Sequence, residues 1–305
     1  MYQSLEVNVL KGVLEKVIKG KDYRSEVLSI INAQFLEFVI DFFKKVVNAK
    51  LEGKKIGVDW YKRYFLDRNL PKEEIAVNAG INVKTINNIY GTTKKEIVIE
   101  AAKKNYESLL SMIESLVSNE DVNITLTIKF RDVSVDLDVN ESLVLINTLA
   151  VKRAQLRGSI WSLIGKRLEV PLMVSLCKLF GVSEEYYETK FVRDKAKPVD
   201  REVDFYLIND KNERFRCEVK LMGKGNPESA DSVFPRNAKV FIADTLSEQN
   251  KNQLNQEGIL WVELRQEDGY KRFKLVLEKL GIPFNEKKGT SIDEAIEEAF
   301  KELYS

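Results

Sequence analysis

The chain has 305 residues, 31% of them charged and 44% apolar, which is the composition of a globular protein with room for two domains of roughly 150 residues. Histidine is absent and cysteine occurs only at Cys177 and Cys217. That excludes nucleophilic machinery with a histidine base and zinc sites of cysteine and histidine, and leaves carboxylates, lysine and a borrowed metal ion to do any chemistry.

The formal charge is +1, but it is unevenly spread. Residues 41–104 hold 14 Lys/Arg against 8 Asp/Glu, and residues 151–167 add Lys152, Arg153, Arg157, Lys166 and Arg167 without an acid. Two such segments suit a phosphate partner. Two cysteines make no disulfide framework and no secretory leader is visible, so a cytoplasmic location is expected. The apolar stretch Phe35–Phe43 is broken by Glu37 and Asp41, and no membrane span is expected.

Apolar periodicity predicts helices near 4–18, 25–50 and 94–118, with shorter ones between. From 122 the period changes to two: Ile124, Leu126, Ile128 and Phe130, then Val133, Val135, Leu137 and Val139, predict a hairpin. We place the domain seam there, giving a helical domain at 1–120 and an α+β domain at 121–305. Helices are expected at 140–157 and 159–180, separated at Gly158. Strands are expected near 186–192, 202–208, 214–222, 238–243 and 259–264, with helices at 246–257, 268–280 and 290–303: a mixed sheet flanked by helices.

Residues 73–90 read as two short helices around a turn at Gly80. Ala76 permits close crossing, and Ile75, Ile81, Ile86 and Ile89 are expected to fill the wedge. The second helix, 83–90, then presents Lys84, Thr85, Asn87, Asn88 and Tyr90, side chains suited to phosphates and base edges. This pattern, continuing through Gly91-Thr92-Thr93-Lys94-Lys95, resembles the helix-turn-helix of TetR-type regulators. The alternative is a helical corner that only packs. Trp60, Tyr61, Tyr64 and Phe65, just before it, are expected in the core.

In Arg214–Leu221 the residues Phe215, Cys217, Val219 and Leu221 alternate with Glu218 and Lys220. In the preceding strand Asp204 lies opposite Val203 and Phe205, so a hairpin can gather Asp204, Glu218 and Lys220 on one face. Two carboxylates at that range suit Mg2+, and a lysine one pleat away can orient or deprotonate water, which is what phosphodiester hydrolysis requires. The competing reading is an ion pair on a solvated sheet face. Cys177 and Cys217 read as buried core thiols.

The arrangement resembles the PD-(D/E)XK nuclease superfamily: Asp204, thirteen residues, then Glu218-Val219-Lys220, with Val203 where a proline often stands. More closely, Cys217–Asp231, Val240–Asp244, Trp261–Arg265, Gly158–Ser162 and Glu169–Met173 are similar to type II restriction endonucleases of the CfrBI kind. The resemblance implies a Mg2+-dependent cut of both strands of double-stranded DNA at a short sequence, with no ATP, by a homodimer beside a companion DNA methyltransferase. It further implies Glu169 as a third catalytic carboxylate, the alternative being an ordinary surface glutamate. Arg157, Trp161, Lys166, Lys224, Ser229 and Arg236 are the side chains we expect near DNA in this domain. A non-catalytic DNA-binding regulator and a repair or junction nuclease are the competing functions.

Overall fold

The computed structural model describes residues 2–52, 58–120, 124–130, 132–189, 205–221, 238–286 and 291–304. The chain forms two compact units, Ser29–Ile160 and the combination of Met1–Leu28 with Trp161–Ser305. These limits differ from the expected seam at 120/121. The hairpin keeps company with the helices before it, and the first helix belongs with the sheet.

The Ser29–Ile160 unit takes in most of α2 (Arg24–Glu52), then α3 (Val58–Phe65), α4 (Lys72–Asn78), α5 (Val83–Tyr90), α6 (Lys95–Glu120), the antiparallel pair β1 (Leu126–Phe130) and β2 (Val133–Leu137), and the first half of α7 (Val139–Leu179). Its core is aromatic. Tyr61 stacks on Tyr106 with centroids 5.2 Å apart and on Phe65 at 4.7 Å, while Trp60 meets Phe65 edge-on at 5.7 Å. The Tyr61 hydroxyl reaches the Asn78 carbonyl at 3.0 Å and Thr148 at 2.9 Å, so the buried polar ends in this core are matched.

Helix α7 is one element of 41 residues and does not break at Gly158 as expected. A glycine weakens a helix by only about 1 kcal/mol, which the flanking turns absorb. Pro171 lies inside the same helix, and the segment from Pro171 to Cys177 is buried on every side, so tertiary packing offsets the missing N–H.

The other unit holds α1 (Tyr2–Ile18) and a five-stranded mixed sheet in the order β3 (Tyr187–Glu188), β4 (Phe205–Ile208), β5 (Arg214–Lys220), β6 (Val240–Ala243), β7 (Leu260–Glu263). Pairs β3/β4 and β4/β5 are antiparallel, and β5/β6 and β6/β7 are parallel. All four β6 residues are buried, as expected of a parallel strand covered on both faces. The β4–β5 turn is built by Asn209, whose side-chain oxygen accepts the backbone N–H groups of Lys211 and Glu213 at 3.0 Å each. Helices α8 (Glu248–Gln256), α9 (Arg272–Leu280) and α10 (Ile292–Tyr304) complete the unit. Among the described residues no helix is long and apolar enough to cross a membrane.

Candidate active site

Strand β5 lies at the centre of the sheet, and its sequence alternation puts Cys217 and Val219 on one face and Glu218 and Lys220 on the other. Glu218 Oε1 and Lys220 Nζ are 2.9 Å apart, with the Glu218 side chain 0% exposed and that of Lys220 19% exposed. A pair on a solvated sheet face would leave both ends wet, so that reading does not describe this pair. A fully buried carboxylate requires partners for its charge, and the ammonium two residues on is one.

The C-terminal edge of the parallel strands adds further polar groups. Lys220 pairs in register with Ala243, and the next residue, Asp244, is buried. Asp244 accepts a hydrogen bond from the Tyr23 hydroxyl at 3.0 Å and from the Thr245 N–H at 2.8 Å, while the Tyr23 ring meets Trp161 edge-on at 6.2 Å. Burial, and then the adjacent Asp244 charge, push the Tyr23 hydroxyl well above the ordinary tyrosine value. Glu263, ending β7, accepts from the Leu246 N–H at 2.9 Å and from Gln266 at 2.7 Å. Tyr23 had no signal in the sequence, because it lies 221 residues from its partner in a segment with no motif.

Glu169 is 8% exposed, so it is no ordinary surface glutamate. Lys166, one turn earlier, stands 3.4 Å from its carboxylate. The same stretch of α7 approaches the end of β5: a Cβ on Gly165 would lie 3.8 Å from the carbonyl oxygen of Leu221, the residue after Lys220. Glu169 follows Gly165 by four residues, about 6 Å along the helix. Helix α7 therefore passes the end of β5 at Gly165, and the buried Glu169 lies one turn further along the same helix.

Asp204, Lys224, Ser229 and Arg236 lie outside the described residues. Phe205, the first described residue of β4, pairs with Cys217, and Asp204 and Glu218 are their chain neighbours. Among the described residues no group of three or more carboxylates or thiols is gathered to hold a metal. The two described carboxylates, Glu169 and Glu218, offer oxygen ligands of the kind a hard cation takes.

The family model of the CfrBI restriction endonuclease matches residues 7–251, well over half of the chain, and spans Glu169, Glu218 and Lys220. The chain belongs to the CfrBI restriction endonuclease family. No curated protein and no solved structure matches it. Family membership makes the chain a nuclease that acts on DNA.

A CfrBI-family nuclease must also hold its substrate, and the matched span includes α4 and α5. These helices join through Gly80 at φ +77°, where a Cβ would run into the Asn147 amide, and the Ile81 N–H bonds the Ala76 carbonyl at 3.0 Å. Asn82 caps α5 by accepting the Thr85 N–H at 2.8 Å, and the Thr85 hydroxyl bonds the same oxygen at 3.1 Å. Thr85 is therefore half-buried at the cap, whereas Lys84, Asn87, Asn88 and Tyr90 are exposed. Ile75 and Ile86 are both wholly buried, but in different clusters: Ile86 packs with Ala76 and Val98, Ile75 with the aromatic core, Ile81 touches both, and Ile89 is 63% exposed. Ile89 lies in the last turn of α5, which ends at Tyr90.

Arg157 and Lys166 are exposed on α7. Trp161 is half-buried against Tyr23. Trp60, Tyr61 and Phe65 are buried and Tyr64 packs on the same core, as expected, and both cysteines are buried free thiols.

Proposed function

We propose that this chain is a type II, sequence-specific endonuclease of double-stranded DNA on the PD-(D/E)XK plan, with Asp204 and Glu218 as the Mg2+ ligands and Glu169 as a third acid. The observation that carries the proposal is the buried Glu218 joined to Lys220 on the central strand of a restriction-endonuclease-family chain. When bound, Mg2+ neutralises charge on the scissile phosphate and favours in-line attack by water.

The residues of the chain do the rest. Glu218 keeps the Lys220 ammonium at the strand end, where its partial exposure lets it donate to water or to a phosphate oxygen. Buried Glu169 adds negative charge that only a cation or a lysine can balance. Lys84, Asn87, Asn88 and Tyr90, flanked by Thr85, serve as a helix-turn-helix recognition surface, and Arg157, Lys224, Ser229 and Arg236 contact DNA. The reaction on two antiparallel strands calls for a homodimer. In the cytoplasm, host DNA survives through a companion methyltransferase.

The test is digestion of unmethylated phage DNA by the pure protein with Mg2+ or with chelator, beside Lys220→Ala. Discrete Mg2+-dependent bands that the variant does not produce are expected. Intact DNA with every divalent metal and salt tried, binding being retained, would replace the endonuclease with a DNA-binding regulator.

A further inference from the structure

Gly158 stands exposed in the middle of α7, and nothing among the described residues accounts for a glycine there. A Cβ added to it would meet no atom within 4 Å, and its φ is not in the left-handed range. Alanine is the best helix former and glycine among the poorest, so the position weakens the helix without any gain in packing.

The surroundings of Gly158 are basic. From Ser142 to Leu168 the sequence contains five Lys/Arg and no acid. Arg157 is exposed, and no described residue hydrogen-bonds or ion-pairs with it. One turn earlier, exposed Arg153 bonds the Asn32 side-chain oxygen at 3.2 Å and lies over the Phe35 ring at 5.3 Å. Lys152 differs, since it sits over Phe38 at 4.9 Å and burial lowers its pKa. Ile146 and Leu163 are the exposed large apolar side chains of α7, each more than a turn from Gly158.

We infer that the phosphate backbone of duplex DNA passes against α7 at Gly158, closer than a side chain would allow, with Arg157 and Arg153 as its phosphate contacts. Five Lys/Arg without an acid along this stretch of α7 favour a polyanion over a second copy of the chain. The inference rests on the endonuclease reading for the identity of that polyanion.

Gly158→Ala, Arg157→Ala and Lys84→Ala are compared with the unaltered protein for thermal melting, mass by light scattering, and binding to a mixed-sequence linear duplex in chelator. Gly158→Ala is expected to melt about 2–4 °C higher and yet to bind the duplex at least tenfold more weakly. Arg157→Ala is expected to weaken binding and to reduce the slope of log affinity against log salt by about 1. A gain in stability with a loss of binding cannot come from misfolding.

Unchanged duplex binding by Gly158→Ala overturns the inference, and so does a lower melting temperature, which would give the glycine a structural role. Unchanged binding with an altered mass would assign the face to a second copy. If Lys84→Ala weakens binding and Gly158→Ala does not, this inference alone falls; if the unaltered protein binds no duplex, the endonuclease reading falls with it.

Discussion

Glu218 and Lys220 share one face of β5 with their charged ends 2.9 Å apart, the carboxylate sealed from solvent and the ammonium reaching it. An interior of low dielectric strengthens their attraction and makes either charge alone costly. Lys220→Ala is therefore expected to lose about 10²–10⁴-fold in cleavage rate while duplex binding persists. Stability should fall by about 2 kcal/mol, below the range for wholly buried pairs because Lys220 is partly wet. Single-turnover cleavage and urea unfolding read the two effects, and a Lys220→Ala protein that cuts at the normal rate would remove the lysine from the chemistry.

A second buried pair has a structural role. Lys50 Nζ lies 2.7 Å from Glu141 Oε2, with side chains 7% and 12% exposed. The Glu141 carboxylate also accepts from Trp60 Nε1 at 3.0 Å and from the Asp138 N–H at 2.9 Å, and Asp138 returns the bond to the Glu141 N–H, a capping box at the start of α7. One carboxylate thus ties α2, α3 and the N-terminus of α7 together. Glu141→Ala is expected to destabilise the protein by about 3–5 kcal/mol. Adding Lys50→Met should recover part of the loss, because the stranded ammonium is then gone; an additive pair in a double-mutant cycle by urea unfolding would contradict the coupling.

Alkaline pH should act through three buried tyrosines. Burial raises the pKa of Tyr23, Tyr61 and Tyr187 well above 10.0, and Tyr23 and Tyr187 also donate to the carboxylates of Asp244 and Glu302. Above the ordinary value the unfolded chain releases these protons while the folded chain keeps them, so the unfolded state binds fewer protons and stability falls as pH rises. The contribution is intact below about pH 10 and declines above it by up to about 1.4 kcal/mol per pH unit for each tyrosine. Urea unfolding at successive pH values should show a shallower decline in Tyr61→Phe, and an unchanged slope in both Tyr23→Phe and Tyr61→Phe would refute the assignment.

What could be read beforehand was what local pattern determines. Alternation in β5 separates Cys217 and Val219 from Glu218 and Lys220, and the Asn209-Asp210-Lys211-Asn212 turn marks the hairpin, so the central strand and its polar face were legible. The burial of Glu169 was not, since a lone acid in a helix carries no sign of which surface covers it. Gly158 was misread as a helix end because propensity is local, whereas the helix continues on packing at both sides. That α1 groups with the sheet was not legible either, since the strands begin about 170 residues later.

Helix α5 offers a last test, since its side chains divide by depth. Ile86 is 0% exposed and Ile89 is 63% exposed, although both are isoleucines three residues apart. Ile86→Ala should cost about 2–5 kcal/mol of stability, against less than about 0.5 kcal/mol for Ile89→Ala. Asn82→Ala, which deletes the cap, should cost about 1 kcal/mol. For DNA the order changes. Lys84→Ala should weaken all duplexes alike and lower the salt slope by about 1, whereas Asn88→Ala should lose about 1–3 kcal/mol on the cognate sequence and little elsewhere. Once end mapping has defined the cleavage site, titrations of cognate and scrambled duplexes at two salt concentrations separate the two roles. If neither variant changes binding to either duplex, α4 and α5 form a corner that only packs.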